Sequence, residues 1–97
     1  MPTYINMLKY SQLGIKNIKQ APGRLDAAKK AFKAAGAEVK DFYLVMGQYD
    51  AVVVCEAPDD NTMAKLSLTV GSQGNVHTET VRAFTEDEYR KLVADLP

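Results

Sequence analysis

The segment Phe42-Tyr43-Leu44-Val45-Met46-Gly47-Gln48-Tyr49-Asp50-Ala51-Val52-Val53-Val54-Cys55-Glu56-Ala57-Pro58 decides the fold. It reads as an apolar strand, a Gly47-Gln48-Tyr49-Asp50 turn and a second strand from Ala51 to Glu56. The second strand is apolar at nearly every position, so the alternation of a half-exposed strand fails and both of its faces need cover. A chain of 97 residues has too few helices of its own to cover both. That shortage points to a second subunit.

Working outward, Thr3 to Tyr10 is a strand with Tyr4, Asn6 and Leu8 on one face and Ile5, Met7 and Lys9 on the other. Ser11 caps a short helix reaching about Lys19, which Pro22 and Gly23 interrupt. The helix resumes near Arg24, where Leu25, Ala28, Phe32 and Ala35 recur at helical spacing and Lys29, Lys30 and Lys33 form a solvated face. Gly36 stands where a left-handed residue ends a helix.

Strands then run from Val39 to Met46 and from Tyr49 to Ala57, and the short Gly47-Gln48 link makes them an antiparallel hairpin. Asp59 or Asp60 caps the next helix, whose apolar positions are Met63, Leu66 and Val70 and which Gly71-Ser72-Gln73-Gly74 stops. Asn75 to Phe84 is the fourth strand. Thr85-Glu86-Asp87-Glu88 is a capping-box pattern opening a last helix with Tyr89, Leu92 and Val93 on its apolar side.

The order is βαββαβ plus a C-terminal helix, the ferredoxin-like α+β pattern, in one domain spanning residues 1–97. Right-handed crossovers put both long helices on one face of a four-stranded sheet. The other face stays bare, and on it lies either Ala51, Val53 and Cys55 or Val52 and Val54. Such a patch is an association site, and an isologous homodimer packed sheet to sheet covers it most economically.

Composition removes several function classes. Twelve basic and twelve acidic residues give a formal charge of zero, which lacks the basic excess that nucleic-acid binding requires. No apolar run is long enough to span a bilayer, and Met1-Pro2-Thr3-Tyr4 does not open a signal peptide. The expectation is a cytoplasmic protein with neither nucleic-acid nor membrane partners. The single cysteine, Cys55, sits mid-strand as a small hydrophobe. One histidine and one buried cysteine without ligand spacing make no metal site, and no cofactor motif is present. The glycine-rich Gly71-Ser72-Gln73-Gly74-Asn75 follows a helix instead of opening one, so it is a helix stop, not a phosphate cradle.

The chain resembles the GYD-domain family, named for a Gly-Tyr-Asp motif. The resemblance rests on Met1-Pro2-Thr3-Tyr4-Ile5, Gly14-Ile15, Arg24-Leu25, Phe42-Tyr43-Leu44 and Met46-Gly47-Gln48-Tyr49-Asp50. It continues through Glu56-Ala57-Pro58-Asp59, Gly74-Asn75-Val76 and Arg82-Ala83-Phe84-Thr85, so it covers nearly the whole chain. His77 departs from the family pattern. The resemblance implies a dimeric α+β barrel and no particular activity, because that architecture hosts monooxygenases, isomerases, haem-degrading enzymes and amino-acid-sensing domains. The Gly-x-Tyr-Asp hairpin also resembles one in the effector domains of Lrp/AsnC-type regulators, where the region helps to bind amino acids between subunits.

The candidate ligand-binding residues are Tyr4, Asn6, Tyr49, Asp50, His77 and Arg82. The tyrosines supply aromatic packing and the others polar anchoring, with Arg82 the first choice for an anion. Each has a structural alternative: Gly47 can take a positive φ, and Asp50 can accept backbone hydrogen bonds where the strand starts. Strand parity groups His77, Glu79 and Val81 on one face and Thr78, Thr80 and Arg82 on the other. A His77–Glu79 pair would make His77 a weak candidate for a catalytic base, though a polar face on an edge strand explains the same residues. Pro2 becomes an N-terminal base only if Met1 is removed. Two hypotheses follow: a homo-oligomeric small-molecule-binding or accessory protein, or a cofactor-free monooxygenase or isomerase. A unit built for assembly alone is a third. A ligand would sit between the sheet and the crossover helices or at the Tyr49-Asp50 turn.

Overall fold

A computed structural model describes residues 1–97. Its strands are β1 (Thr3–Tyr10), β2 (Glu38–Leu44), β3 (Ala51–Glu56) and β4 (Val76–Ala83). Its helices are α1 (Gln12–Lys16), α2 (Ala21–Ala34), α3 (Asp60–Ser72) and α4 (Glu86–Ala94), with a 3₁₀ turn at Ile18–Gln20. The sheet order is β2-β3-β1-β4, with every neighbouring pair antiparallel. Each crossover therefore skips one strand, as in two interleaved split βαβ units.

Local chemistry explains the elements. Ser11 accepts the Gly14 N–H to start α1, and Asp59 accepts the Thr62 N–H to start α3, so of the two aspartates considered Asp59 is the cap. At α4, Thr85 and Glu88 form both bonds of a capping box. Gly36, Gly47 and Gly74 hold φ of +78°, +125° and +80°, a region L side chains avoid.

Three sequence expectations are corrected. Pro22 and Gly23 do not interrupt a helix: α2 already begins at Ala21, because proline in a first turn forfeits only an N–H that has no intrahelical partner anyway. The break falls earlier, at Asn17 and the 3₁₀ turn. The β2–β3 link is not two residues long; the strands end at Leu44 and resume at Ala51, leaving Val45 to Asp50 as the loop. Apolar composition extended the expected strands past the point where Asp50 N–H turns to the Leu8 carbonyl, at 2.8 Å.

The helices cover one face of the sheet, built from Tyr4 and Asn6 on β1, Ala51, Val53 and Cys55 on β3, and Val39 and Phe42 on β2. Tyr4, Phe32, Ala37, Cys55, Ala57, Met63 and Leu66 form the tight core. The opposite face carries Ile5, Met7, Val52 and Val54, half-buried, with Tyr43 and Val81 exposed. Of the two alternatives for β3, Val52 and Val54 are thus the uncovered set. α4 scarcely touches the rest of the chain, leaving Tyr89, Leu92 and Val93 exposed. The radius of gyration, 14.6 Å, exceeds the roughly 13 Å of a compact domain this long.

Candidate functional site

Only one end of the layer between sheet and helices is tightly filled. Beyond Phe32 and Leu66, the layer over Leu8, Tyr10 and Val53 holds a half-open cavity of about 450 Å³. That volume falls in the range of small-molecule sites. Its walls are apolar, supplied by Leu25, Ala28 and Phe32 of α2, Leu66 and Val70 of α3, and Val39, Phe42 and Leu44 of β2. The small residues of α2 keep that wall low: Ala27, Ala28 and Ala31 all face the space without filling it.

Two polar groups in this wall stand out. Asn6, only 5% exposed, is the one buried polar side chain of the sheet. Its Oδ1 accepts a hydrogen bond from the Thr80 hydroxyl, whose oxygen lies 3.0 Å from Ser67 Oγ on α3. Its amide nitrogen has no protein partner yet is not sealed off, so it opens onto the cavity that the residue lines. Arg24 is the only charged residue in the wall. Its guanidinium donates to the Asn17 carbonyl at 3.1 Å and, more weakly, to the Gly14 carbonyl at 3.5 Å, tying α2 to α1.

The remaining candidates lie elsewhere. Tyr4 is buried in the tight core, its hydroxyl donating to Asp60 Oδ1 at 2.5 Å. Burial, with that bond, pushes the Tyr4 pKa up to about 12. Arg82 stacks on Tyr4 and Phe84, 5.7 and 4.4 Å from their ring centroids, and donates to the Thr3 and Ala83 carbonyls. Its charge is already engaged by aromatic faces and backbone.

Asp50 accepts the Tyr10 N–H at 2.8 Å, while its own carbonyl accepts the Val45 N–H at 2.9 Å, closing the loop onto β1. Tyr49 donates to Glu79 across the uncovered face, which raises the phenol's pKa chiefly through that bond. His77 also faces that side, opposite Lys9 in the register. The structure therefore brings Tyr49, His77 and Glu79 to the uncovered face and Asn6 to the cavity on the other. In the sequence Arg24 and Leu25 mark the restart of a helix and carry part of the family resemblance, but they are not candidate site residues; a lone arginine between Pro22-Gly23 and an alanine-rich apolar stripe is the available signal. No group of three or more His, Cys, Asp or Glu side chains lies close enough together to hold a metal ion. No helix is long and apolar enough to cross a membrane.

A model of the GYD domain matches residues 4–93. The chain belongs to the GYD-domain family. A relative from Thermus thermophilus, described as a glutamine synthetase and cystathionine beta-lyase binding protein, is 33% identical over 85 residues, covering 87% of this chain and 90% of the relative. Among solved structures, the GYD domain is similar to a feast or famine regulatory protein of M. tuberculosis complexed with L-methionine, with a TM-score of 0.67 at 16% identity. That match covers 88% of this chain, which spans only 51% of the regulator. The solved structure of a T. thermophilus protein matches at TM-score 0.56 and 23% identity, covering 88% of this chain and 95% of that one. These structural likenesses establish a shared ferredoxin-like α+β fold. The family expectation from the sequence thus holds.

Proposed function

We propose that this GYD-domain protein is a homodimeric accessory protein that binds a small molecule between its sheet and crossover helices. The observation that carries the reading is the Asn6 amide, its nitrogen without a protein partner, at the wall of a largely apolar cavity. A polar group in that setting favours a ligand that supplies the missing hydrogen bond. The uncovered apolar face, with Val52 and Val54 at its centre, supports pairing of two copies. The name of the T. thermophilus relative supports a role exercised on other proteins, with enzymes as partners.

The rival reading, a cofactor-free monooxygenase or isomerase with His77 as base, has less support because His77 lies across the sheet from the cavity. Thermal-shift measurement against a panel of apolar metabolites tests the binding role. At least one compound should stabilise the wild type but not Ala28→Phe, which fills the cavity from α2. A panel without any stabiliser, or one whose stabilisers act equally on Ala28→Phe, overturns the reading. Sedimentation tests the assembly: a single-copy particle at micromolar concentration removes the dimer.

A further inference from the structure

We infer that the cavity accepts a small apolar monocarboxylic acid, its carboxylate taking the free hydrogen bond of Asn6 in a wall whose one formal charge, that of Arg24, is positive. The inference rests on the reading that the cavity is a binding site and adds the chemical class of the ligand.

Three features of the wall select this class. Its bulk is aliphatic and aromatic, so the body of the ligand is apolar. The polar group sealed most deeply into it is Asn6, 5% exposed, whose Oδ1 is already occupied by Thr80. What remains is an N–H donor, which calls for an acceptor on the ligand. The only formal charge in the wall is positive, because Arg24 is there and no aspartate or glutamate is. A cationic head would meet a like charge without a counter-ion, and a zwitterion would bring an ammonium under the same positive field with no acidic side chain to pair it. A neutral carbonyl or hydroxyl satisfies Asn6 but makes no use of Arg24. A carboxylate satisfies the Asn6 donor and is the charged acceptor that the positive field of Arg24 favours; that guanidinium, with two donors on backbone carbonyls, is neutralised by no acidic residue of the wall.

The test is isothermal titration at pH 7 with three matched sets of linear C6–C10 and aryl-alkyl compounds: carboxylates, the corresponding alcohols and the corresponding amines. One carboxylate should bind each chain, tighter than its alcohol by about tenfold or more, as a hydrogen bond to a charged group implies. The amine should not bind. Asn6→Asp, isosteric but bearing like charge, should abolish carboxylate binding. Arg24→Gln should narrow the gap between acid and alcohol. Because that readout is a ratio between two ligands, general loosening of the fold does not imitate it. Alcohols and acids that bind equally, or acids that bind Arg24→Gln as tightly as wild type, overturn the inference and leave the cavity's binding role standing. If no compound of any set binds, both fall.

Discussion

Gly14 runs so close to Asn75 that a Cβ at position 14 would lie 2.0 Å from the Asn75 carbonyl oxygen. The same oxygen accepts the Ser11 N–H at 3.0 Å, and Ser11 Oγ donates to the Gly74 carbonyl at 2.5 Å. This contact clamps α1 against the start of β4. Gly14→Ala must push backbone against backbone, and overpacking of that kind costs about 1–3 kcal/mol. Gly23→Ala meets nothing within 4 Å on α2 and should gain about 0.5–1 kcal/mol from better helix propensity. Urea denaturation of the pair checks the contrast. Equal stabilities would mean that α1 yields freely.

The Tyr4–Asp60 bond joins β1 to the first turn of α3. Tyr4→Phe should cost on the order of 1 kcal/mol at neutral pH. The folded chain holds the phenolic proton more tightly, since its pKa stands at about 12 against an ordinary 10.0. Its contribution to stability is therefore complete below the ordinary value and is lost as pH rises through the folded one. Stability measured through this alkaline window should fall less steeply in Tyr4→Phe than in wild type. Identical slopes would show that this phenol does not govern the window.

Asp59 shows the opposite sign. Hydrogen bonds from Thr62 hold its carboxyl below the ordinary 3.8. The folded state thus favours the ionised form; the contribution is present above that ordinary value and lost as pH falls through the depressed one. Asp59→Asn keeps a capping acceptor but does not titrate. Its melting temperature should match wild type near neutrality and depend less on pH in the acid limb, which scanning calorimetry at several acidic pH values would establish.

What the sequence disclosed followed from periodicity. The apolar run from Ala51 to Cys55 announced β3, and Thr85 with Glu88 announced the start of α4. Parity alone could not say whether Val53 or Val52 faced the helices, because both sets are apolar; the register with Tyr4 and Asn6 settles it. The cavity was hidden for another reason. Alanines at 27, 28 and 31 read as ordinary helix formers, and only the spacing of α2 from α3 turns them into a low wall around empty space. Asn6 is a candidate polar anchor from the sequence, yet its free donor emerges only once Thr80 is placed beside it.

The proposed dimer makes its own demand on the uncovered face. Val54 pairs with Ile5 on β1 and Asp41 on β2, at the centre of that face. A lysine placed there would be drawn into a sheet-to-sheet interface with only Asp41 opposite it, and taking even a paired charge out of water carries a desolvation cost. Val54→Lys should therefore sediment as a single copy where wild type should sediment as a dimer, while Lys33→Glu on the exposed side of α2 should leave assembly unchanged. Assembly of Val54→Lys indistinguishable from wild type would exclude this face as the interface.

Cys55 offers a probe of how firmly the tight end of the core is closed. It is fully buried, with its sulfur 3.7 Å from both the Tyr4 carbonyl and Met63 Sδ, and burial pushes the thiol up to about 11. A reagent that attacks through the thiolate is thus denied both access and the reactive form at neutral pH. Labelling of the folded protein should proceed only through opening of the β1–β3–α3 core, so its rate should fall far below that of the unfolded chain and rise with urea. Tyr4→Phe, which loosens the junction of β1 with α3, should speed labelling; Gly23→Ala, remote from it, should not. Prompt labelling of wild type in the absence of denaturant would show that the thiol is reached without disturbing the core, and a packing role for Cys55 would then be untenable.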